Sequence, residues 1–255
     1  MHDPATDSTE FAVGRRFRVQ WLESVDSTNR LLMAAARNGS LTDGAVVVAD
    51  HQTAGRGRLD RRWDDEAGAA LLASVLFEPQ EPVASVHRYV AAVSVALADA
   101  VLALTDVRPQ HKWPNDLVVG DRKLAGVLAE TGVAPDGTVR ALVVGAGTNV
   151  AQVPPAHREL AIACNEYAPT PVDRRELLVT WLLALEHLVD DPAAVDASIR
   201  DHSATLGTRV RVEGARESFE GMAVDLSDSG ALVVRTDDGV ERVVTVADVL
   251  HLRPS

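Results

Sequence analysis

Hydrophobic and polar positions change their period several times along the chain, and each change predicts a different element. Residues 17–21 alternate between apolar and polar side chains, which predicts a half-buried strand. Residues 45–49 are apolar without interruption, as is typical of a strand that is buried on both faces. Between residues 86 and 104 the apolar side chains recur every three or four positions, which predicts an amphipathic helix.

Turn and capping residues add further elements to this pattern. The segment 26–29 offers several N-cap residues and Gly39 offers a stop signal, so a short helix is predicted between them. Residues 117–119 and 124–129 bracket a turn, which predicts a hairpin. A buried strand is predicted over residues 139–145. Strands and helices therefore mix along this part of the chain.

After Gly207 the pattern changes to short strands separated by turns that contain glycine and aspartate. These strands are predicted over residues 210–212, 219–226, 232–235 and 240–246. Their spacing predicts a small β-barrel or sandwich, so we place a domain boundary near Leu206. The expected organisation is a disordered tail over residues 1–13, a main domain over 14–206 and a small β domain over 207–255.

Composition narrows the class of protein. The chain has 255 residues, 46% of them hydrophobic, and a formal net charge of −12. That acidity argues against general binding to nucleic acids or anionic membranes. No uninterrupted apolar run approaches the ~20 residues that span a bilayer. Cys164 has no partner for an internal disulfide and the first residues lack the pattern of a secretory signal, so we expect a cytoplasmic protein.

The segment 52–63 concentrates positive charge in this acidic chain. It contains four arginines, Arg56, Arg58, Arg61 and Arg62, together with two interleaved glycines. Clustered arginines repel one another unless an anion neutralises them, and glycine lets backbone N–H groups approach a ligand closely. The pattern favours a loop that closes over a small anion, and the alternative is a solvated surface loop.

Two further segments carry candidate chemistry. Lys112 can supply a point charge for phosphate, Asn115 can hydrogen-bond a nucleobase edge, and Asp116 can hold Mg²⁺. The alternative for this segment is a strand-edge turn with surface charges. Lys123 opens an apolar strand and can point into a cleft, although a solvated hairpin lysine has the same pattern. The scattered histidines show no metal-ligand spacing, so a zinc site is not expected.

Five motifs in this order resemble the biotin protein ligase family. They are Ser27-Thr28-Asn29, the loop Gln52-x-x-Gly55-Arg56-Gly57-Arg58 to Trp63, Lys112-Trp113-Pro114-Asn115-Asp116, Lys123-Leu124-Ala125-Gly126, and Gly145-Ala146-Gly147-x-Asn149. The match covers the main domain and, more weakly, the C-terminal β domain. The resemblance implies an α+β fold in which a mixed-sheet catalytic domain of the biotin/lipoate ligase type precedes a small SH3-like β-barrel.

The resemblance also implies a reaction and its substrates. Biotin and ATP, with Mg²⁺, would give biotinyl-5′-AMP and pyrophosphate. A lysine on the biotin carboxyl carrier domain of an acyl-CoA carboxylase would then take the biotinyl group and release AMP. The expected oligomeric state is a monomer or a weak homodimer.

Site residues follow from the same resemblance. The biotin site would contain Ser27, Thr28, Gln52, Gly55, Arg56, Arg58, Lys123, Gly126 and Gly145. The ATP and adenylate site would contain Arg58, Trp63, Lys112, Asn115, Lys123 and Asn149. Lys123 and Arg58 would be the catalytic residues, with Lys123 stabilising the transition state and Trp63 stacking on adenine. Asp116 would assist Mg²⁺ or the incoming lysine.

Two departures from the family pattern are visible. Leu59 and Asp60 stand where the family loop commonly carries a glycine, so the dynamics of the loop are expected to differ. Only about a dozen residues precede the first predicted strand, fewer than a helix-turn-helix module needs, so we expect no binding to a biotin operator.

Three other functions remain open from the residues. A lipoate–protein ligase would share the fold and the adenylation chemistry. An RNA-binding protein could use residues 56–62 as a basic arm, although the acidic charge and the lack of aromatic stacking platforms count against it. A non-catalytic biotin sensor would bind the vitamin without releasing pyrophosphate.

Overall fold

The computed structural model describes residues 9–58, 61–214, 217–245 and 248–252. The strands are β1 Thr9–Val13, β2 Phe17–Val25, β3 Ala45–Gln52, β4 Ala70–Phe77, β5 Glu81–Pro82, β6 Gln110–Lys112, β7 Asp116–Val119, β8 Arg122–Val133, β9 Thr138–Asn149, β10 Arg209–Glu213, β11 Ser218–Leu226, β12 Leu232–Arg235, β13 Glu241–Val244 and β14 Asp248–His251. The helices are α1 Thr28–Asn38, α2 His87–Thr105, α3 Arg174–Leu188 and α4 Pro192–Asp201.

The main domain is built on one mixed sheet. Its strands lie in the order β1-β2-β3-β4-β9-β8-β7-β6, with β5 pairing to β9. The pair β2–β3 is parallel, whereas β3–β4, β4–β9 and β8–β9 are antiparallel. A parallel pair needs a crossover connection, and α1 supplies it between β2 and β3. The expected mixed-sheet fold is confirmed.

Helices cover both faces of this sheet, which explains why β3 is apolar without interruption. Val46 and Val48 point to the face that packs on α2 and α3. Ala45 and Val47 point to the opposite face and pack with Leu32 of α1. Because successive side chains of a strand alternate between faces, a strand covered on both sides requires apolar residues at every position.

The apolar helix α2 belongs to this core. Among the described residues, the helical stretch Val83–Thr105 is long and apolar enough to cross a membrane by length and composition alone. Most of it is buried within the protein, where α2 packs against α3, α4 and the sheet. The indole N–H of Trp181 in α3 donates a hydrogen bond to the backbone carbonyl of Val93 in α2 at 3.1 Å. Its apolar side chains therefore serve the core of the main domain.

The C-terminal domain is a five-stranded antiparallel sheet in the order β13-β12-β11-β10-β14. It has its own core, formed by Val210, Val212, Ala223, Leu232, Val234, Val244 and Val249. The last strand, β14, was not predicted from the sequence. The pairings of the described strands form an open sheet without a closing pair, so they show an antiparallel sheet rather than a completed barrel.

One domain prediction is wrong in part. The tail was expected to be disordered through residue 13, but Thr9–Val13 forms β1 and pairs antiparallel with β2. Val13 is buried and Phe11 packs against the core of the main domain, so burial of these two side chains stabilises the strand. Residues 1–8 lie outside the described part of the chain.

Candidate functional site

A cavity of about 360 Å³ lies where the main sheet meets the loop 52–63 and the edge of the C-terminal sheet. Most of the predicted site residues line it: Ser27, Thr28, Gln52, Arg56, Arg58, Trp63, Lys112, Asn115, Asp116, Lys123, Gly126 and Gly145. The C-terminal domain adds Glu213, Val249 and Leu250 to its wall. The fold therefore gathers residues that are more than two hundred positions apart in the chain.

One end of the cavity is a neutral corner of hydrogen-bonded side chains. The Oε1 atom of Gln52 accepts hydrogen bonds from the backbone N of Thr28 at 2.8 Å and from its Oγ1 at 3.1 Å. Ser74 Oγ lies 2.7 Å from Thr28 Oγ1 and 2.6 Å from Asn29 Oδ1, and its one proton serves one of them at a time. Asn29 donates to the carbonyl of Leu128 at 3.1 Å. The corner is thus internally bonded before any ligand arrives.

Ser74 is the part of this corner that the sequence analysis missed. It is fully buried in β4, and it is the only polar residue of that strand. A single hydroxyl inside an otherwise apolar strand is the signal that could have identified it, since buried hydroxyls need partners.

Ser27 occupies the N-cap position of α1 with an extended backbone, but its side chain makes no capping hydrogen bond. It is nevertheless 97% buried and lines the cavity. Gly145 is required by the same corner, because a Cβ at this position would lie 2.2 Å from Asn29 Oδ1. The residue types at Ser27 and Gly145 therefore suit the cavity rather than the formation of α1 or β9.

Trp63 lies flat against the main sheet beside the neutral corner. A Cβ on Gly147 would come within 2.7 Å of its indole ring, and one on Gly126 within 3.4 Å. The glycines of β8 and β9 thus make room for the ring. The indole Nε1 is buried and has no hydrogen-bond partner among the described residues.

Positive charges also line the cavity, and several of them are paired within the protein. Lys123 Nζ lies 2.7 Å from Asp116 Oδ1, and 5.6 Å from the centroid of the Trp63 ring. Arg56 forms an ion pair with Glu130. Arg58 donates to Asn115 Oδ1 at 3.3 Å. These partially exposed pairs are worth little free energy each, so a strongly charged ligand can replace them.

The segment 112–116 forms a fixed wall between the two domains. The Trp113–Pro114 peptide bond is cis. Trp113 donates its backbone N–H to Thr205 Oγ1 at 3.0 Å and its indole N–H to the carbonyl of Gly230 at 3.0 Å. Asn115 donates its side-chain amide to the carbonyl of Val127 at 3.0 Å. This wall therefore depends on both domains for its position.

His251 supports the same wall from the C-terminal sheet. Its Nε2 atom lies 3.1 Å from Thr205 Oγ1, the hydroxyl that accepts from Trp113. Burial lowers the pKa of His251, and the charge of Lys112 lowers it further.

Two predicted site residues do not line this cavity. Gly55 lies at the base of the loop, where its carbonyl accepts from Trp63 N at 3.1 Å and a Cβ would lie 2.6 Å from the Trp63 carbonyl. Asn149 is buried, and its amide donates to the carbonyls of Ile162 at 3.2 Å and Lys123 at 3.4 Å. The hydrogen bond between Gly55 and Trp63 joins the two ends of the loop. The Asn149 amide bonds to the backbone of Lys123 and so helps to fix its position. Their predicted ligand contacts remain predictions.

Asp116 lies on the cavity, and its carboxylate is engaged by Lys123. The described residues contain no group of three or more His, Cys, Asp or Glu side chains that could hold a metal ion by themselves. Mg²⁺ is commonly held by one or two carboxylates plus the phosphates of a substrate, and one carboxylate is compatible with that arrangement. Leu59 and Asp60, the departure within the loop, lie outside the described residues.

Comparison with known proteins places this geometry in a family. The model of the biotin/lipoate A/B protein ligase family matches residues 21–149, and that of the biotin protein ligase C-terminal domain matches residues 205–252. The chain belongs to the biotin/lipoate A/B protein ligase family. The resemblance inferred from the motifs is confirmed at this level, and the matched regions fall on the two sheets described above.

Named relatives agree with this assignment. The chain is 35% identical over 236 residues to the biotin–[acetyl-CoA-carboxylase] ligase of Mycobacterium tuberculosis, covering 89% of this chain and 86% of that protein. It is 30% identical to the corresponding ligase of Paracoccus denitrificans, covering 89% and 98%. The biotin protein ligase of Aquifex aeolicus, solved in complex with biotin and ATP, superposes with a TM-score of 0.77 at 26% identity, covering 92% of this chain and 99% of that one.

Proposed function

We propose that this protein activates biotin with ATP and transfers the biotinyl group to a lysine on the biotin carboxyl carrier domain of an acyl-CoA carboxylase. The observation that carries the proposal is a single cavity with two unlike ends. One end is a buried, neutral hydrogen-bonding corner that suits the ureido ring of biotin. The other end presents Arg58, Lys112 and Lys123, which suit a carboxylate and phosphates.

In the first step, a carboxylate oxygen of biotin attacks the α-phosphorus of ATP. A new bond forms between this oxygen and phosphorus, the bond between the α-phosphorus and the bridging oxygen breaks, and pyrophosphate leaves with the electron pair. Two anions must meet, so Lys123 and Arg58 offset their repulsion and the charge that develops in the transition state. Lys123 leaves Asp116 and Arg58 leaves Asn115 when they take up these new partners.

Mg²⁺ enters this step as part of the MgATP substrate, where it neutralises phosphate charge. Asp116, a carboxylate on the cavity wall, would be able to hold it once Lys123 has turned to the substrates. Trp63 stacks on the adenine ring, and Lys112 and Asn115 hold the phosphates and the base.

In the second step, the uncharged amine of the carrier lysine attacks the acyl carbon of biotinyl-5′-AMP. An amide bond forms, the bond from carbon to the phosphate oxygen breaks, and AMP leaves. The mixed anhydride hydrolyses if water reaches it, so the loop 52–63 covers it between the steps. A carboxylate at Asp116 helps to position the incoming amine and to receive its proton.

The relatives named above are biotin ligases, which favours biotin over lipoate as the acid. The lone Cys164 and the acidic composition favour the cytoplasm as the site of action. A monomer or weak homodimer is the proposed oligomeric state.

The test is incubation of the full chain with ATP, Mg²⁺, biotin and a purified carrier domain, read by mass spectrometry. We expect the carrier domain to gain one biotinyl group, together with one pyrophosphate and one AMP released for each transfer. A carrier domain whose acceptor lysine is replaced by arginine is the control and should gain none. Preferential incorporation of lipoate would contradict the proposal, and so would a folded sample that binds biotin without releasing pyrophosphate.

A further inference from the structure

Lysine is almost absent from this chain. The sequence contains 25 lysine and arginine residues, and only Lys112 and Lys123 among them are lysines. Both lysines line the first cavity. Apart from the histidines, every other basic side chain is therefore a guanidinium.

Five arginines lie around the loop 52–63, and we call them the arginine rim: Arg30, Arg56, Arg58, Arg61 and Arg62. They line a second cavity of about 490 Å³, and all of them except Arg30 also line the first cavity. Among the described residues of the second cavity's wall, Glu130 is the only acidic one. The rim therefore concentrates positive charge where the two cavities meet. Lysine would supply the same charge, so the use of arginine alone has to be explained by another property.

Arginine and lysine differ in whether an activated acid can acylate them. A mixed anhydride such as biotinyl-5′-AMP reacts with the uncharged form of an amine, whose lone pair attacks the acyl carbon. With ordinary pKa values, about 0.4% of lysine side chains are uncharged at pH 8, compared with less than about 0.01% of arginine side chains. The guanidinium is also planar and delocalised, which weakens it as a nucleophile. A lysine at the rim would therefore compete with the carrier lysine, whereas an arginine does not.

The two lysines that the chain does have are used as cations. Lys123 Nζ lies 2.7 Å from Asp116 Oδ1 and over the Trp63 ring, 5.6 Å from its centroid, so a carboxylate and an aromatic face both stabilise the charge. In the proposed reaction, Lys112 binds phosphate and Lys123 binds the reacting anions. A protonated amine has no lone pair to attack with, so neither lysine takes the acyl group.

We propose, on the basis of the proposed function, that the arginine rim makes the protein selective for the carrier lysine. The rim supplies positive charge beside the adenylate without supplying an amine that the adenylate can acylate. In Arg62→Lys, the new amine nitrogen would form an amide bond with the acyl carbon of biotinyl-5′-AMP. The bond from that carbon to the phosphate oxygen would break, AMP would leave with the electron pair, and the proton of the amine would pass to solvent.

Arg62→Lys tests the proposal, because the substitution keeps the charge and the Arg62 side chain is 69% exposed. The full chain is incubated with biotin, ATP and Mg²⁺ without a carrier domain, and peptide mass spectrometry locates any biotinylated lysine. Arg140→Lys is the matched control, since Arg140 lines neither cavity and its side chain is 57% exposed. We expect the introduced lysine to be labelled at least about tenfold more in Arg62→Lys than in Arg140→Lys, because the bound adenylate is its neighbour. The unmodified chain should show no labelled lysine.

Three results would overturn the proposal. Equal labelling of Arg62→Lys and Arg140→Lys would show that adenylate free in solution is responsible. Absence of labelling in Arg62→Lys would show that an amine at the rim does not compete. Biotinylation of Lys112 or Lys123 in the unmodified chain would show that its own lysines are not protected.

Folding of each variant is checked by circular dichroism, and Arg61→Lys repeats the comparison at the neighbouring position if Arg62→Lys does not fold. Failure of the proposed function is a separate result, in which the unmodified chain releases no pyrophosphate from ATP in the presence of biotin. In that case synthetic biotinyl-5′-AMP, added to the same variants, still compares the rim with the control position.

Discussion

The polar side chains at the two ends of the first cavity have different kinds of partner. Neutral groups bond to one another at one end, and opposite charges pair at the other. At the neutral corner, Gln52, Thr28, Ser74 and Asn29 bond to one another and to the backbone of β8. At the charged end, Lys123 is paired with a carboxylate that also lines the cavity. The first arrangement holds its shape for a neutral ring, whereas the second must exchange partners when anions arrive. We therefore expect recognition to depend on rigidity at one end and on replaceable pairs at the other.

The largest expected effect comes from the charged end. Lys123→Ala should lower the rate of adenylate formation by roughly 100- to 1,000-fold, because the transition state loses a preorganised positive charge. Single-turnover release of pyrophosphate measures this rate. Arg122→Ala is the matched control, since Arg122 is the adjacent residue and pairs with Glu166 at 2.9 Å. A near-normal rate in a folded Lys123→Ala protein would remove this lysine from the chemistry.

The next effect tests the rigidity of the neutral corner. Gly145→Ala would place a Cβ 2.2 Å from Asn29 Oδ1, so we expect a loss of about 1–3 kcal/mol in unfolding free energy and weaker biotin binding. Urea denaturation and calorimetric titration with biotin measure the two quantities. Gly132→Ala on the neighbouring strand β8 is the control, because its nearest contact would be an ordinary 3.5 Å. Unchanged biotin affinity in Gly145→Ala would show that the corner is not rigid.

A smaller effect is expected in the loop. Arg58→Ala should shorten the lifetime of bound biotinyl-5′-AMP by roughly tenfold, since one charge-assisted contact to the adenylate is lost. Release of the adenylate into solution, followed by mass spectrometry, measures this lifetime. Arg140→Ala is the control, because Arg140 does not line the cavity and its side chain is 57% exposed. If both variants retain the adenylate equally well, the loop does not act as its cover.

The smallest effect tests whether the internal pairs compete with ligands. Glu130→Gln removes the carboxylate partner of Arg56, so ATP should bind up to about threefold more tightly while stability changes by less than about 1 kcal/mol. Equilibrium titration with a non-hydrolysable ATP analogue measures the affinity. Glu81→Gln, which breaks the pair with Arg88 away from the cavity, is the control. Weaker ATP binding in Glu130→Gln would show that Glu130 orients Arg56 rather than competing for it.

Much of the fold could be predicted because it depends on local periodicity. The uninterrupted apolar run at residues 45–49 indicates β3, and the spacing of apolar residues over 86–104 indicates α2. β1 was missed because five residues with one buried valine give little pattern of their own. Its stability comes from pairing with β2, which is a tertiary contact.

The motifs also indicated which residue types lie at the site, but they did not indicate which atoms of these residues contact one another. The predicted contacts of Gly126 with biotin and of Asn149 with ATP remain predictions. The structure adds that the missing Cβ of Gly126 makes room for Lys123 and the Trp63 ring, and that the Asn149 amide donates to two backbone carbonyls. These arrangements depend on which strand lies next to which, and no local pattern contains that information.

The sequence by itself determined many of the strands and helices, the concentration of arginine and glycine in one loop, and the family to which these motifs point. Only the tertiary structure decided that Ser74 completes the neutral corner and that Lys123 meets Asp116. The physical reason is that periodicity and capping act over a few neighbouring residues. Hydrogen bonds and ion pairs at the site instead join atoms that become neighbours only when the sheets and helices pack.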